Sequence, residues 1–204
     1  MTSKKREYRT MKIEPIKRDG DEPSFLVRGY ASTFSPYVLF SYDGIDYKEQ
    51  IDPHAFAGCD MSDVVFRVDH MGPVYARTSN NKLRIWVDDH GLANEANLDS
   101  TAKARSLYED IAAGMYPQMS FAFTVAQDHY VVKERLRVID KIEKLYDVSP
   151  VTFPANPETE LSARDYFNGV IEAEKAERLE RERRARRDAL RRKLLIEKIK
   201  EGRR

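Results

Sequence analysis

The chain has 204 residues, of which 41% are hydrophobic and 34% charged, and its formal net charge is +1. This length suits one globular domain with an appendage and argues against two large domains. Cys59 is the only cysteine, so no internal disulfide can form and a reducing cytoplasm is expected. Because no segment has the roughly 20 apolar residues of a bilayer span and the polar N-terminus lacks a signal peptide's apolar part, we expect a soluble, unexported protein.

Charge is unevenly distributed along the chain. Residues 171–204 contain 14 Lys and Arg against 8 Asp and Glu, a net of +6, whereas the preceding residues contain 21 and 26, a net of −5. An acidic body with a basic tail favours self-association or an anchored partner.

The N-terminal half predicts strands. β-Branched and apolar residues in 11–17 and 25–33 indicate two strands joined by a polar turn. Residues 64–70 alternate, and His70 continues the face of Phe66. This pattern predicts that His70 ends a strand on the side that points into the core.

A hairpin and a helix follow. Residues 82–98 predict two strands joined by a DDHG turn. The period then becomes helical over 100–114, with Asp99 or Ser100 as the N-cap and Gly114 where the helix should stop.

The next strand separates bulky from small residues. The bulky face consists of Met119, Phe121, Phe123 and Val125. Ser120, Ala122 and Thr124 occupy the opposite face. Close packing on one side leaves room for chemistry on the other, which makes Ser120 a candidate nucleophile.

A further strand over 138–151 ends at prolines. Asp147 alternates with Leu145 and Ser149, which predicts that all three project to one face. Glu143 follows the same alternation and is a competing carboxylate.

The C-terminal region lacks strand patterns and predicts a long helix over 172–192, with an amphipathic stripe only in 190–199. We therefore predict an α+β fold: a bent, mostly antiparallel β-sheet or barrel with one or two packed helices, followed by a long C-terminal helix. The predicted domains are a β-rich body, 1–157, and a charged helical tail, 158–204.

Serine-dependent amide hydrolysis needs an imidazole to take the hydroxyl proton and a third group to orient that imidazole. The four histidines are His54, His70, His90 and His129. His70 is the best placed, because the other three fall in turns, loops or polar stretches. Cys59 is a weakly supported alternative nucleophile. From the pattern alone, each candidate would be structural more often than functional.

Five sequence blocks occur in order: EQIDPHAF, VDH followed by PVYART, a hairpin ending in GL, GMYPQMSFAF and LYDVSPVTFPAN. Together they resemble the caudoviral prohead protease family, the capsid-maturation proteases of tailed bacteriophages, which are distantly similar to herpesvirus assemblins. The resemblance implies that His70 is the base, Ser120 the nucleophile and Asp147 the third member. The chain departs from the family in having Asp147 where Glu is common and His54 where Gly is common.

The resemblance also implies a function. The substrates would be the scaffold portion of the major capsid protein and the protease itself, cut inside the assembling prohead in the host cytoplasm. No cofactor, metal or membrane is implied, and self-association is compatible. Arg77 could organise water or the oxyanion, although a surface salt bridge is the commoner role. Nucleic acid is not an expected partner, because glutamates interleave with the tail's arginines.

Two other functions fit the same residues. A noncatalytic capsid assembly or scaffolding protein would keep the body and act by binding. A metal-dependent hydrolase using His70, Asp69 and another histidine is disfavoured, because no HExxH or comparably spaced ligand set is present.

Overall fold

The computed structural model describes residues 6–14, 25–152 and 157–201. The chain divides into two compact units, residues 1–161 and residues 162–204. The strands are β1 (Glu7–Glu14), β2 (Leu26–Thr33), β3 (Tyr37–Tyr42), β4 (Ile45–Ile51), β5 (Val65–Val68), β6 (Met71–Arg77), β7 (Leu83–Val87), β8 (Gly91–Asn97), β9 (Gln118–Val131) and β10 (Leu136–Val151). The helices are α1 (Ala102–Ala112) and α2 (Pro157–Glu201).

The strands form one sheet in the order β3-β4-β10-β9-β1-β2-β8-β7, and β5 pairs with both β10 and β6. Pairing is antiparallel except where β10 runs parallel to β4 and to β5. Within the described ranges the sheet ends at β3 and at β7, so it is open and not a closed barrel. The predicted α+β fold is confirmed, and of the two predicted forms, sheet or barrel, the structure has the sheet.

One face of this sheet carries the hydrophobic core. Phe121 and Phe123 of β9 belong to the same buried cluster as Leu145 and Val148 of β10, and their two rings stack. The cluster also contains Ala104, Leu107 and Ile111 of α1. The core therefore holds β9 and β10 in register, and these two strands supply the site.

Local sequence signals set several boundaries. Residues 82–98 form the predicted hairpin of β7 and β8. α1 lies inside the predicted 100–114, but its N-cap is Thr101, whose side chain accepts from the N–H of Ala104, and neither Asp99 nor Ser100. Gly114 follows the helix with a φ of 82°, a conformation that glycine adopts without strain.

The N-terminal prediction is met only in part. β1 extends to Glu14, and the remaining residues of the predicted 11–17 strand lie outside the described residues, as does the turn at 18–24. The β3–β4 hairpin was missed, although Asp43 and Gly44 form its turn with positive φ values of 52° and 72°.

A buried group of charges joins β1, β4 and β10. Arg9 bonds Glu49, which is fully buried, and also Glu7 at 2.6 Å. Arg137 contacts Glu7 at 2.7 Å and Glu49 at 3.0 Å. Buried charges are tolerated when they are paired in this way, and removing one partner typically costs about 3–5 kcal/mol.

The Glu7 carboxyl makes the stability of the folded protein depend on pH. Burial alone would raise the pKa of Glu7, but hydrogen bonds and charges from Arg137 and Arg9 outweigh burial and hold the pKa below its ordinary value. A carboxyl with a lowered pKa stabilises the folded state above its unfolded pKa, and this stabilisation is lost as pH falls through the folded pKa. The free energy of unfolding should therefore decrease below a pH of about 4.5, and less steeply in Glu7→Gln. Urea unfolding across this range tests it; identical slopes for both proteins would contradict it.

The helix α2 is longer than the predicted 172–192. Ion pairs follow its surface, with Arg181 bonded to Glu177 at 2.9 Å and Lys175 to Glu172 at 3.3 Å. Leu190 is more than half exposed. No helix in the described part of the chain combines the length and apolar character of a bilayer span.

Candidate active site

His70 lies in the turn between β5 and β6. Asp69 and His70 have φ values of 47° and 58°, and Val68 pairs directly with Met71, so the two residues form a tight hairpin turn with both central φ values positive. The prediction that His70 continues the core face of Phe66 is wrong. Left-handed backbone at the turn breaks the strand alternation and turns the imidazole to the opposite face, where it meets Asp147.

The carboxylate of Asp69 fixes this turn to the end of β10. It accepts hydrogen bonds from the N–H of Thr152 at 3.0 Å and from its hydroxyl at 2.9 Å. The N–H of Asp69 donates to the carbonyl of Pro150 at 3.1 Å. These bonds hold a backbone conformation that residues other than glycine adopt at a cost.

The register of β9 and β10 brings the remaining groups to one face. Ser149 lies directly opposite Ser120, and Asp147 lies opposite Ala122. An irregularity between Leu145 and Asp147 adds a residue to β10, so Leu145 belongs to the core face and Asp147 to the other. The predicted alternation is therefore right for Ser149 and wrong for Leu145.

Three side chains form a continuous hydrogen-bonded chain. His70 Nδ1 lies 2.6 Å from Asp147 Oδ1, and His70 Nε2 lies 2.7 Å from Ser120 Oγ. The side chains of His70 and Asp147 are 7% and 5% exposed, and Ser120 is 2% exposed. The small face of β9 is thus buried too, and its small residues leave room for the incoming imidazole.

The two hydrogen bonds select one tautomer of the imidazole. An ionised carboxylate can only accept, so Nδ1 of His70 carries the proton that it donates to Asp147. Nε2 is then an acceptor for the hydroxyl of Ser120. This arrangement can deprotonate the serine hydroxyl and hold the resulting imidazolium next to a negative charge.

Two further residues contact the hydrogen-bonded side chains of the site, and neither was predicted from the sequence as a site residue. The Ser149 hydroxyl donates to Asp147 Oδ1 at 2.8 Å and is fully buried. The Tyr8 ring lies 4.5 Å from the His70 ring, centroid to centroid. Ser149 was visible in the alternation as a neighbour of Asp147, whereas no local pattern connects β1 with the turn at His70.

The competing candidates lie elsewhere. His54 bonds Asp52 at 3.1 Å, and its side chain is 90% exposed. The other two histidines have partners of their own: His90 lies against Tyr30, and His129 bonds Asp140. Glu143 is exposed. Arg77 forms a half-exposed ion pair with Asp63, the commoner of the two roles considered for it.

Cys59 is not placed as a nucleophile. Its thiol lies 3.8 Å from the carbonyl of Asp60, and burial raises its pKa to about 11. Because the thiolate is the reactive form, iodoacetamide at pH about 8 should alkylate Cys59 on the order of a hundredfold more slowly than a free cysteine. Mass spectrometry of timed samples measures this rate. Alkylation as fast as in the urea-unfolded chain would contradict it.

The described residues contain no group of three or more His, Cys, Asp or Glu side chains that could hold a metal ion. The carboxylate of Asp69, named for the metal alternative, bonds Thr152. In the described residues, His70 thus bonds Ser120 and Asp147 and does not belong to a group of metal ligands.

Comparison with known protein families identifies the family of this chain. The model of the caudovirus prohead serine protease family matches residues 9–170. The chain belongs to this family. It is a serine protease of phage capsid maturation, which confirms the resemblance inferred from the five sequence blocks.

Other comparisons find little. A solved structure, that of the bacteriophage T4 capsid assembly protease, gp21, is similar to this prohead protease with a TM-score of 0.43 and 11% identity over 73% of this chain and 98% of that chain. No curated protein matches the chain significantly.

Proposed function

We propose that this prohead protease is an endopeptidase with Ser120 as nucleophile, His70 as general base and Asp147 as the orienting carboxylate. The observation that carries the proposal is the unbroken pair of hydrogen bonds, 2.6 Å and 2.7 Å long, through the two nitrogens of His70. Three distant chain segments would have little reason to converge in this order for packing alone. The resemblance of the five sequence blocks to the family implies the same three residues, with Asp147 where Glu is common.

The reaction proceeds in two halves. His70 Nε2 takes the proton of Ser120 Oγ as the oxygen attacks the peptide carbonyl carbon, and Asp147 stabilises the imidazolium. When the tetrahedral intermediate collapses, the C–N bond breaks and the Nε2 proton passes to the leaving amine. Water, deprotonated by His70, then attacks the ester carbon. The bond to Ser120 Oγ breaks, His70 returns the proton to Oγ, and the carboxylic acid product leaves.

The proposed substrates follow from the family. They are the scaffold portion of the major capsid protein and the protease itself, cleaved inside the assembling prohead. Residues 1–157 would be the catalytic domain, and the tail, 158–204, would contact the scaffold through its charged surface. Cleavage before assembly would destroy the scaffold too early, so we expect weak activity in free solution and more in the assembled shell.

Co-expression with a candidate capsid precursor tests the function. With the wild-type protein, intact-mass spectra should show that the precursor and the protease are both shortened to discrete masses. With Ser120→Ala, the precursor should stay at full length. Shortening by both proteins would defeat the proposal. Full-length precursor with both, in shells that assemble, would favour the noncatalytic scaffolding role.

A further inference from the structure

The strand β1 presents alternate residues to two different environments. Tyr8 lies on the face of the sheet that carries the site, since Tyr8 pairs with Ala122 and Ala122 pairs with Asp147. Glu7 and Arg9 lie on the opposite face, in the buried group of charges. β1 therefore contacts the site through Tyr8 and the ion pairs through Glu7 and Arg9.

The ion pairs fix the position of β1 against β4 and β10. The Arg9 side chain is 2% exposed, and its second nitrogen, Nη2, bonds Glu49 at 2.6 Å. The pKa of Arg9 is raised well above its ordinary value, because the charges of Glu49 and Glu7 outweigh the effect of burial. Detaching β1 would separate Glu7 and Arg9 from their partners Arg137 and Glu49, so the strand is held where Tyr8 meets His70.

Tyr8 lies against the imidazole of His70. Both ring nitrogens of His70 are committed, one to Asp147 and one to Ser120. The Tyr8 ring lies 4.5 Å from the imidazole at an interplanar angle of 59°, so it covers part of the ring's face. The guanidinium carbon of Arg6, the residue before β1, lies 3.9 Å from the ring centroid of Tyr146, the residue before Asp147.

We propose that Tyr8 is a positioning residue for His70 and that β1 is therefore a working part of the active site. The inference rests on the proposed role of His70 as base. Tyr8 restricts the tilt of the imidazole between Asp147 and Ser120 and excludes water from its face. The electron-rich ring also stabilises the positive charge that His70 acquires in the transition state.

Reaction with a fluorophosphonate measures this effect without a known substrate. Ser120 Oγ attacks phosphorus, fluoride leaves, and His70 takes the hydroxyl proton. Tyr8→Leu should lower the maximal labelling rate, kinact, by about 3- to 30-fold, with the concentration dependence, KI, unchanged within about twofold. Tyr8→Phe keeps the ring and should retain most of the rate.

A second readout separates positioning from folding. The proton shared by His70 Nδ1 and Asp147 should give a far-downfield proton resonance in the wild type and in Tyr8→Phe, and Tyr8→Leu should broaden or remove it. Tyr30→Leu is the matched control, because Tyr30 lies at the same centroid distance, 4.5 Å, from His90 on another hairpin. This control should change neither the resonance nor kinact.

Equal kinact for Tyr8→Leu and the wild type would overturn the inference while leaving the proposed function intact. So would a loss of labelling that only follows the folded fraction by circular dichroism and is the same in Tyr8→Phe. Labelling of Ser120→Ala as fast as the wild type would instead remove the proposed function, and the role of Tyr8 with it.

Discussion

Replacing Ser120 with alanine should reduce peptide-bond cleavage by about a millionfold, because Ser120 carries the hydroxyl that is bonded to Nε2 of His70 and would form the acyl intermediate. The substitution removes one oxygen from a small buried side chain and breaks one hydrogen bond, so the fold should be retained. Single-turnover cleavage of the capsid precursor measures the rate, and thermal unfolding monitors the fold. Ser32→Ala, at another fully buried serine in β2, is the matched control and should cleave at the wild-type rate.

Ser120 and His70 should act as a unit in catalysis. If Ser120 and His70 form one nucleophile, Ser120→Ala and His70→Ala lose similar activity, and the double variant loses no more than either alone. Losses that multiply in the double variant would show that the two residues act separately.

Asp147→Asn should lower the cleavage rate by about 10⁴-fold with little change in structure. The amide supplies no negative charge for the imidazolium. Its N–H group, turned to His70 Nδ1, selects the tautomer in which Nε2 carries a proton and cannot accept one from Ser120. The maximal rate should fall while KM changes little.

Glu143→Gln distinguishes the two carboxylates proposed from the sequence. Glu143 is exposed on β10, whereas Asp147 lies 2.6 Å from the imidazole. This control should therefore retain activity. If Glu143→Gln lost as much activity as Asp147→Asn, the assignment of the orienting carboxylate would be wrong.

The predictable parts of the fold have local causes. The β7–β8 hairpin and α1 were found because turn residues and helical periodicity mark them. The β3–β4 hairpin has an Asp43–Gly44 turn that could have marked it. The irregular pairing between Val38 and Phe40 interrupts the alternation that would have identified the strands.

Residue types and the family sequence blocks were enough to predict the residues of the site but not their geometry. Ser120, His70 and Asp147 were named, but their shared face depends on two departures from strand alternation. One is the turn at His70, and the other is the extra residue in β10 before Asp147. Such irregularities are set by cross-strand pairing, which the pattern of one strand does not contain. The contact of Tyr8 with His70 depends on the same pairing.

Peptide mapping after fluorophosphonate treatment tests the central claim most directly. We expect a single adduct on the peptide that contains Ser120 in the wild-type protein, and almost none in His70→Ala or in the urea-unfolded chain. An adduct on a different residue, or equal labelling of Ser120 without the imidazole of His70, would contradict a nucleophile activated by that histidine.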